Sequence, residues 1–150
     1  MPLYHGDLED AEGMPANARK VREIFLAHDA LLIASPENNK SVSALLKNTI
    51  DWLSRDVGDG KGEASGSAPY RGKVAALLAA SPGAFGGSQG LPDLRKILSA
   101  LGVLVIPAQA TLAHAHKAFD AQGALIEPRV QASVRAVAAE LVQTAGKLRG

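Results

Sequence analysis

The chain of 150 residues contains no cysteine. Disulfides, thiolate metal ligands and a cysteine nucleophile are therefore excluded together. Aromatic residues make up only 4% and the formal net charge is +1. No basic stripe interleaved with aromatics exists, so nucleic acid is not an expected partner. No apolar run approaches the length needed to cross a bilayer. The opening Met1-Pro2-Leu3-Tyr4-His5-Gly6-Asp7 is polar and lacks a secretory signal. A cytoplasmic location is the expectation. No pair of acids suggests glycosidase chemistry, and Ser35, Ser41 and Ser81 lack the sequence context of a nucleophile elbow. What is present is 47% apolar residues, enough for one domain, residues 1–150, with a real core.

Apolar runs alternate with helical patterns. Residues 1–14 show no clear period and read as loop. Pro15 suits a first helical turn, followed by Val21, Ile24, Phe25 and His28 at helical spacing. Ala30–Ala34 is a short, continuously apolar strand. Val42, Leu45, Leu46, Thr49, Ile50 and Leu53 step by three and four, with Ser41 placed as a cap. Residues 57–72 hold five glycines and read as a long flexible loop. Val74–Ala80 is a second strand. Pro92 opens a helix with Leu91, Leu94, Ile97, Leu98 and Leu101 on one face and Gly102 as its left-handed stop. Val103–Ile106 is a third strand, ended by Pro107. Pro128 opens a last helix with Val130, Val134, Val137, Leu141 and Ala145 on one face. Continuously apolar strands separated by helices predict a parallel sheet covered on both faces. The strand carboxyl ends, and the loops 35–41, 81–90 and 107–116, then share one edge.

Two of those loops carry the chemistry. In Ser81-Pro82-Gly83-Ala84-Phe85-Gly86-Gly87, the glycines allow backbone amides to approach a flat or anionic ligand. Ordinary glycine-turn formation explains the same residues. In Ser35-Pro36-Glu37-Asn38-Asn39-Lys40-Ser41, one carboxylate and two amides can hydrogen-bond a heterocycle edge, or make a turn and a cap. Phe85 suits either stacking on a ring or filling the core. His114 and His116 lie two apart, a poor spacing for a helical metal site, and His5 and His28 are isolated.

The first loop, followed by Leu46-Lys47-Asn48-Thr49-Ile50-Asp51-Trp52-Leu53, resembles the NAD(P)H-dependent FMN reductase family. Its signature is close to Ser-Pro-Glu-Tyr-Asn-Gly-Ser, then Leu-Lys-Asn-Ala-Ile-Asp-Trp. The second loop is similar to the family's Ser-Pro-Gly-x-x-Gly-Gly. The match runs from about Pro2, where Leu3-Tyr4-His5-Gly6-Asp7-Leu8 is also family-like, to the end.

The resemblance implies a flavodoxin-like three-layer α/β/α fold with a parallel sheet. It implies FMN as cofactor, NAD(P)H as reductant, and a small-molecule acceptor such as a quinone, an azo compound or a metal oxyanion. It places Pro36, Glu37, Asn38 and Asn39 on one side of the isoalloxazine ring and Ser81, Pro82, Gly83 and Gly86 on the other. It also implies a homodimer or homotetramer, with no protein nucleophile. Asn38 stands where the family has tyrosine, and Lys40 where it has glycine. The family's first strand, its Gly-Ser-x-Arg-x-x-Ser-like phosphate loop and the following helix have no counterpart in the 150 residues, so the fold is expected to be N-terminally incomplete. In the strand order 2-1-3-4-5, the strand at 31–34 would then be an exposed apolar edge. The alternative is a non-catalytic fragment or interaction module of this fold that binds FMN weakly or not at all.

Overall fold

A computed structural model describes residues 1–149. The elements are α1 (Gly6–Glu12), α2 (Ala16–Leu26), β1 (Ala30–Asn38), β2 (Ser41–Val42), α3 (Ala44–Leu53), β3 (Val74–Ala80), α4 (Leu91–Ala100), β4 (Leu104–Leu112) and α5 (Pro128–Arg149), with short 3-10 turns at Gly62–Ala64 and Ala115–Lys117. The sheet order is β2-β1-β3-β4; β1, β3 and β4 are parallel and β2 is antiparallel to β1.

The central strand β3 explains the layering. Ala75, Leu77 and Ala79 point to a core shared with Ala18 of α2, Trp52 and Leu53 of α3, and Leu91, Leu94 and Leu98 of α4. Val74 and Ala76 point the other way, to Ile106, Ala110, Val137 and Leu141. Three helices thus cover one face and α5 covers the other. Trp52, Leu53, Leu77, Leu94 and Leu98 have 0% exposure, and each such side chain contributes roughly 1.5–3 kcal/mol by leaving water.

Several sequence expectations are corrected. Residues 1–14 are not all loop, because Gly6–Glu12 forms α1. The segment before it is tied down: Trp52 Nε1 and Asn48 Nδ2 both donate to Pro2 O at 2.9 Å. Of the loop expected at 35–41, residues 35–38 continue β1, and the turn shrinks to Asn39 and Lys40. Both have positive φ, 50° and 64°, as the primed turns of two-residue hairpins require. The cap of α3 is Ser43, whose Oγ accepts from Leu46 N at 3.2 Å, not Ser41. Leu45 and Ile24 face solvent, and Asn48 and Arg22 take the buried positions beside them.

The third strand does not stop at Pro107. The register between β3 and β4 shifts between Ala75 and Leu77, and β4 runs on to Leu112. A bulge on an edge strand tolerates the missing proline N–H. Arg95 Nη1 donates to Val105 O at 3.0 Å and Ile106 O at 2.8 Å beside this bulge.

The outer edge of β1 is open. β2 pairs only with Glu37 and Asn38, and on that side no described strand lies beside Ala30–Pro36, whose other side pairs with β3. Leu32 is 48% exposed there, so β1 is not covered on both faces as its apolar run predicts.

The glycine-rich stretch 57–72 is fastened, not loose. Arg22, 4% exposed, donates to Leu53 O (2.9 Å), Glu63 O (2.6 Å) and Ser65 O (2.6 Å). Gly66 N donates to Asp56 Oδ1 at 2.6 Å, and buried Tyr70 donates to Ile50 O at 3.0 Å. Replacing Arg22 by Met leaves three inward carbonyls without their donor. The expected cost is about 3 kcal/mol, read as a lower urea midpoint. An unchanged midpoint would contradict this fastening role.

Candidate functional site

The parallel register brings the strand ends level. Pro36 pairs with Ala80, and Ala80 with Leu112. The hairpin, the loop 81–90 and the segment after Leu112 therefore leave the sheet together. Backbone bonds lock the last two: Ser81 N to Leu112 O (3.0 Å), Ala115 N to Ser81 O (3.1 Å) and His114 N to Gly83 O (3.3 Å). His114 adopts positive φ, 50°, to make this connection. No pattern in the sequence marked that role.

The glycines divide into two kinds. Gly86 is buried at φ 60°, and a Cβ there would lie 2.8 Å from Ala113 N. Gly87, at φ 81°, would place one 2.9 Å from the Ala79 Cβ. These two let the loop lie against β3 and β4. Gly83 differs: it is exposed, and a Cβ would meet only Ser81 Oγ, at 3.6 Å. Pro82, Gly83, Ala84 and Phe85 all face solvent. Phe85 is 68% exposed, so it does not fill the core. No hydrogen bond among the described residues takes up the Ala84 and Phe85 amides.

Across from this loop, Pro36, Asn38 and Asn39 are exposed and Glu37 is half-buried. Glu37 shares a strand face with Leu31, Ile33 and Ser35, the face that α4 covers. Its Oε2 accepts from Gln89 N (2.7 Å) and Gly90 N (3.0 Å) at the start of α4. Of the two readings the sequence leaves open for this carboxylate, a heterocycle edge or a turn and cap, these bonds are of the capping kind. Ser41 Oγ donates to Asp93 Oδ2 at 2.7 Å. That bond, with Lys96 Nζ at 3.4 Å, holds the Asp93 carboxyl below the usual carboxylate range. On the α5 side of the edge lies an apolar cavity of about 420 Å3, with Pro36, Ala80, Leu112, Phe119, Leu125 and Val134 in its wall, within the size range of small-molecule sites.

A profile described as NADPH-dependent FMN reductase matches residues 1–117. The chain belongs to this family. It is an oxidoreductase of the class that uses FMN and NAD(P)H, and its fold is flavodoxin-like. A NAD(P)H-dependent FMN reductase of Pseudomonas aeruginosa is 36% identical over 151 residues, covering 100% of this chain and 76% of that protein. A quinone reductase of Escherichia coli is 36% identical over 106 residues, covering 71% of this chain and 52% of that protein. FerB, a flavoenzyme NAD(P)H:(acceptor) oxidoreductase of Paracoccus denitrificans, superposes with a TM-score of 0.80 at 24% identity, over 98% of this chain and 76% of FerB.

The donor set of the family member fits a flavin ring. Two prolines and an open glycine offer flat walls, and the Asn38 and Asn39 side chains with the Ala84 and Phe85 amides offer polar contacts at a ring edge. It does not fit the phosphate in the same way. Helix N-termini are ready anion sites, but Ser43 Oγ already takes the Leu46 amide of α3, and Glu37 sets a carboxylate on Gln89 N and Gly90 N just before α4. Among the described residues no group of three or more His, Cys, Asp or Glu side chains could hold a metal ion, and no helix is long and apolar enough to cross a membrane.

If Gly86 serves packing, Gly86→Ala should destabilise the fold by about 1–3 kcal/mol. Thermal melting followed by circular dichroism reads it. A melt identical to the parent's would show that the loop does not need this approach.

Proposed function

We propose that this chain reduces small-molecule acceptors, of the quinone, azo or metal-oxyanion class, with electrons drawn from NAD(P)H through FMN. The observation that carries the proposal is the level convergence of the two motif loops, Pro36 paired with Ala80, beside an apolar cavity. When bound, FMN would supply the two-electron chemistry that links NAD(P)H to an acceptor.

The chain's own residues orient and stabilise. Pro36, Asn38 and Asn39 form one side of the ring site, and Ser81, Pro82 and Gly83 the other. Glu37 and Gly86 stand behind these walls. Pro36 and Pro82 keep the walls rigid. The Ala84 and Phe85 N–H groups are free to donate toward negative charge at a reduced ring, the kind of preorganised stabilisation that needs no proton transfer. No side chain is required as nucleophile. We assign the protein to the cytoplasm, with a homodimer or homotetramer as its assembly.

A second reading has its own observation. The open edge of β1 and the exposed Leu32 suit an interaction module of this fold that binds FMN weakly or not at all.

Loading the purified chain with FMN separates the two. The reductase reading predicts a yellow protein that oxidises NAD(P)H in the presence of a naphthoquinone. Gly83→Val is expected to weaken FMN binding about tenfold with an unchanged melting temperature, because nothing in the protein obstructs the new side chain. A chain that stays colourless at high FMN would sink the reductase reading.

A further inference from the structure

We propose that Glu37 is a positioning residue, which fixes the separation of the two loops by docking its carboxylate on the start of α4 instead of on a ligand. The inference rests on the reductase reading for its consequence, but its geometry stands alone.

The first amides of a helix have no partner inside the helix. Gln89 N and Gly90 N lie immediately before α4, Gly90 at its N-cap position, and both donate to the same oxygen, Glu37 Oε2, at 2.7 and 3.0 Å. No other acceptor among the described residues takes them. A carboxylate at a helix N-terminus is also favoured by the helix dipole. Glu37 is the penultimate residue of β1, and its partner Val42 is the last of β2. The carboxylate therefore holds the whole hairpin against the residues that end the glycine loop.

Two further features show that the junction is built for close approach. A Cβ on Gly90 would lie 2.9 Å from Ser41 O and 3.5 Å from Glu37 Cγ, although Gly90 has an ordinary φ of −79°. Glycine is needed there for contact, not for conformation. The Ser41–Asp93 bond at 2.7 Å adds a second link one turn along α4, with the hairpin now as donor. The loop 81–90 is bounded at its far end by Gln89 and Gly90 and at its near end by Ser81, which is paired to Leu112. With both ends fixed, the placing of Pro82, Gly83 and Ala84 relative to the hairpin is constrained. Glu37 supplies the link between the two sides.

This assignment separates the family motif into parts. Pro36 and Asn38 project to the opposite face from Glu37 or into solvent and are available to a ligand. The Glu37 oxygen that the amides hold is not.

The test uses the full chain with Glu37→Ala and Glu37→Gln, followed by amide hydrogen exchange without flavin and by FMN titration. In Glu37→Ala, exchange at Gln89 and Gly90 should quicken about tenfold or more, with Leu98 unchanged as a control inside α4. Glu37→Gln keeps an acceptor oxygen and should restore most of the protection. FMN binding should weaken about tenfold in Glu37→Ala and by less than about threefold in Glu37→Gln, and the visible band of bound FMN should shift in the alanine variant only. Unaltered exchange at Gln89 and Gly90 in Glu37→Ala would overturn the proposal. So would protected amides combined with equal FMN loss in both variants, which would put the carboxylate on the ring. Should the parent chain bind no FMN, the reductase reading fails, and the exchange data still decide the role of Glu37.

Discussion

The register of β3 between its two parallel neighbours is the constraint on which the site depends. β3 is buried on both faces, so a slip would exchange Ala75, Leu77 and Ala79 with Val74 and Ala76 between two different cores. Holding β3 in place holds Pro36, Ala80 and Leu112 side by side. The three segments that follow then emerge level, and short backbone bonds from Ser81, His114 and Ala115 join two of them. Site geometry at the strand ends is thus inherited from packing in the middle of the sheet.

Self-contained capping shapes what that edge can bind. Ser43 Oγ takes one of the first amides of α3, and Glu37 sets a carboxylate on the two amides just before α4, which disfavours an anion at either place. Flat apolar surface remains at Pro82 and Gly83, and unclaimed amides remain at Ala84 and Phe85. The edge suits a planar heterocycle better than a phosphate. Lys40 adds a small cost, since a side chain at positive φ occupies a sparsely populated conformation. The family has glycine there, which adopts that conformation freely.

Much of this was legible in the residues. Val74–Ala80 is apolar at every position and is the doubly covered strand. Leu91, Leu94 and Leu98 gave the buried face of α4, and Gly102 at φ 85° its stop. The paired Ser-Pro motifs located the edge and the family. Polar residues misled where burial and pairing diverge. Ser35, Pro36, Glu37 and Asn38 look like a turn, yet they extend β1, because an edge strand tolerates proline and polar side chains. Pro107 looked like a stop because a bulge supported by a distant arginine, Arg95, leaves no local trace. Capping was one of the readings open for Glu37, but its partners were not visible, because they lie 52 and 53 residues away in sequence.

Comparing the affinity of this chain for FMN and for riboflavin, by fluorescence titration under one set of conditions, tests most directly whether the edge is a ring site without a phosphate cradle. The two flavins share the ring and differ in the phosphate. Ser43 at the start of α3 and the Glu37 carboxylate just before α4 predict dissociation constants within about threefold of each other. FMN binding about a hundredfold tighter than riboflavin would reveal a phosphate site and contradict this account of the edge.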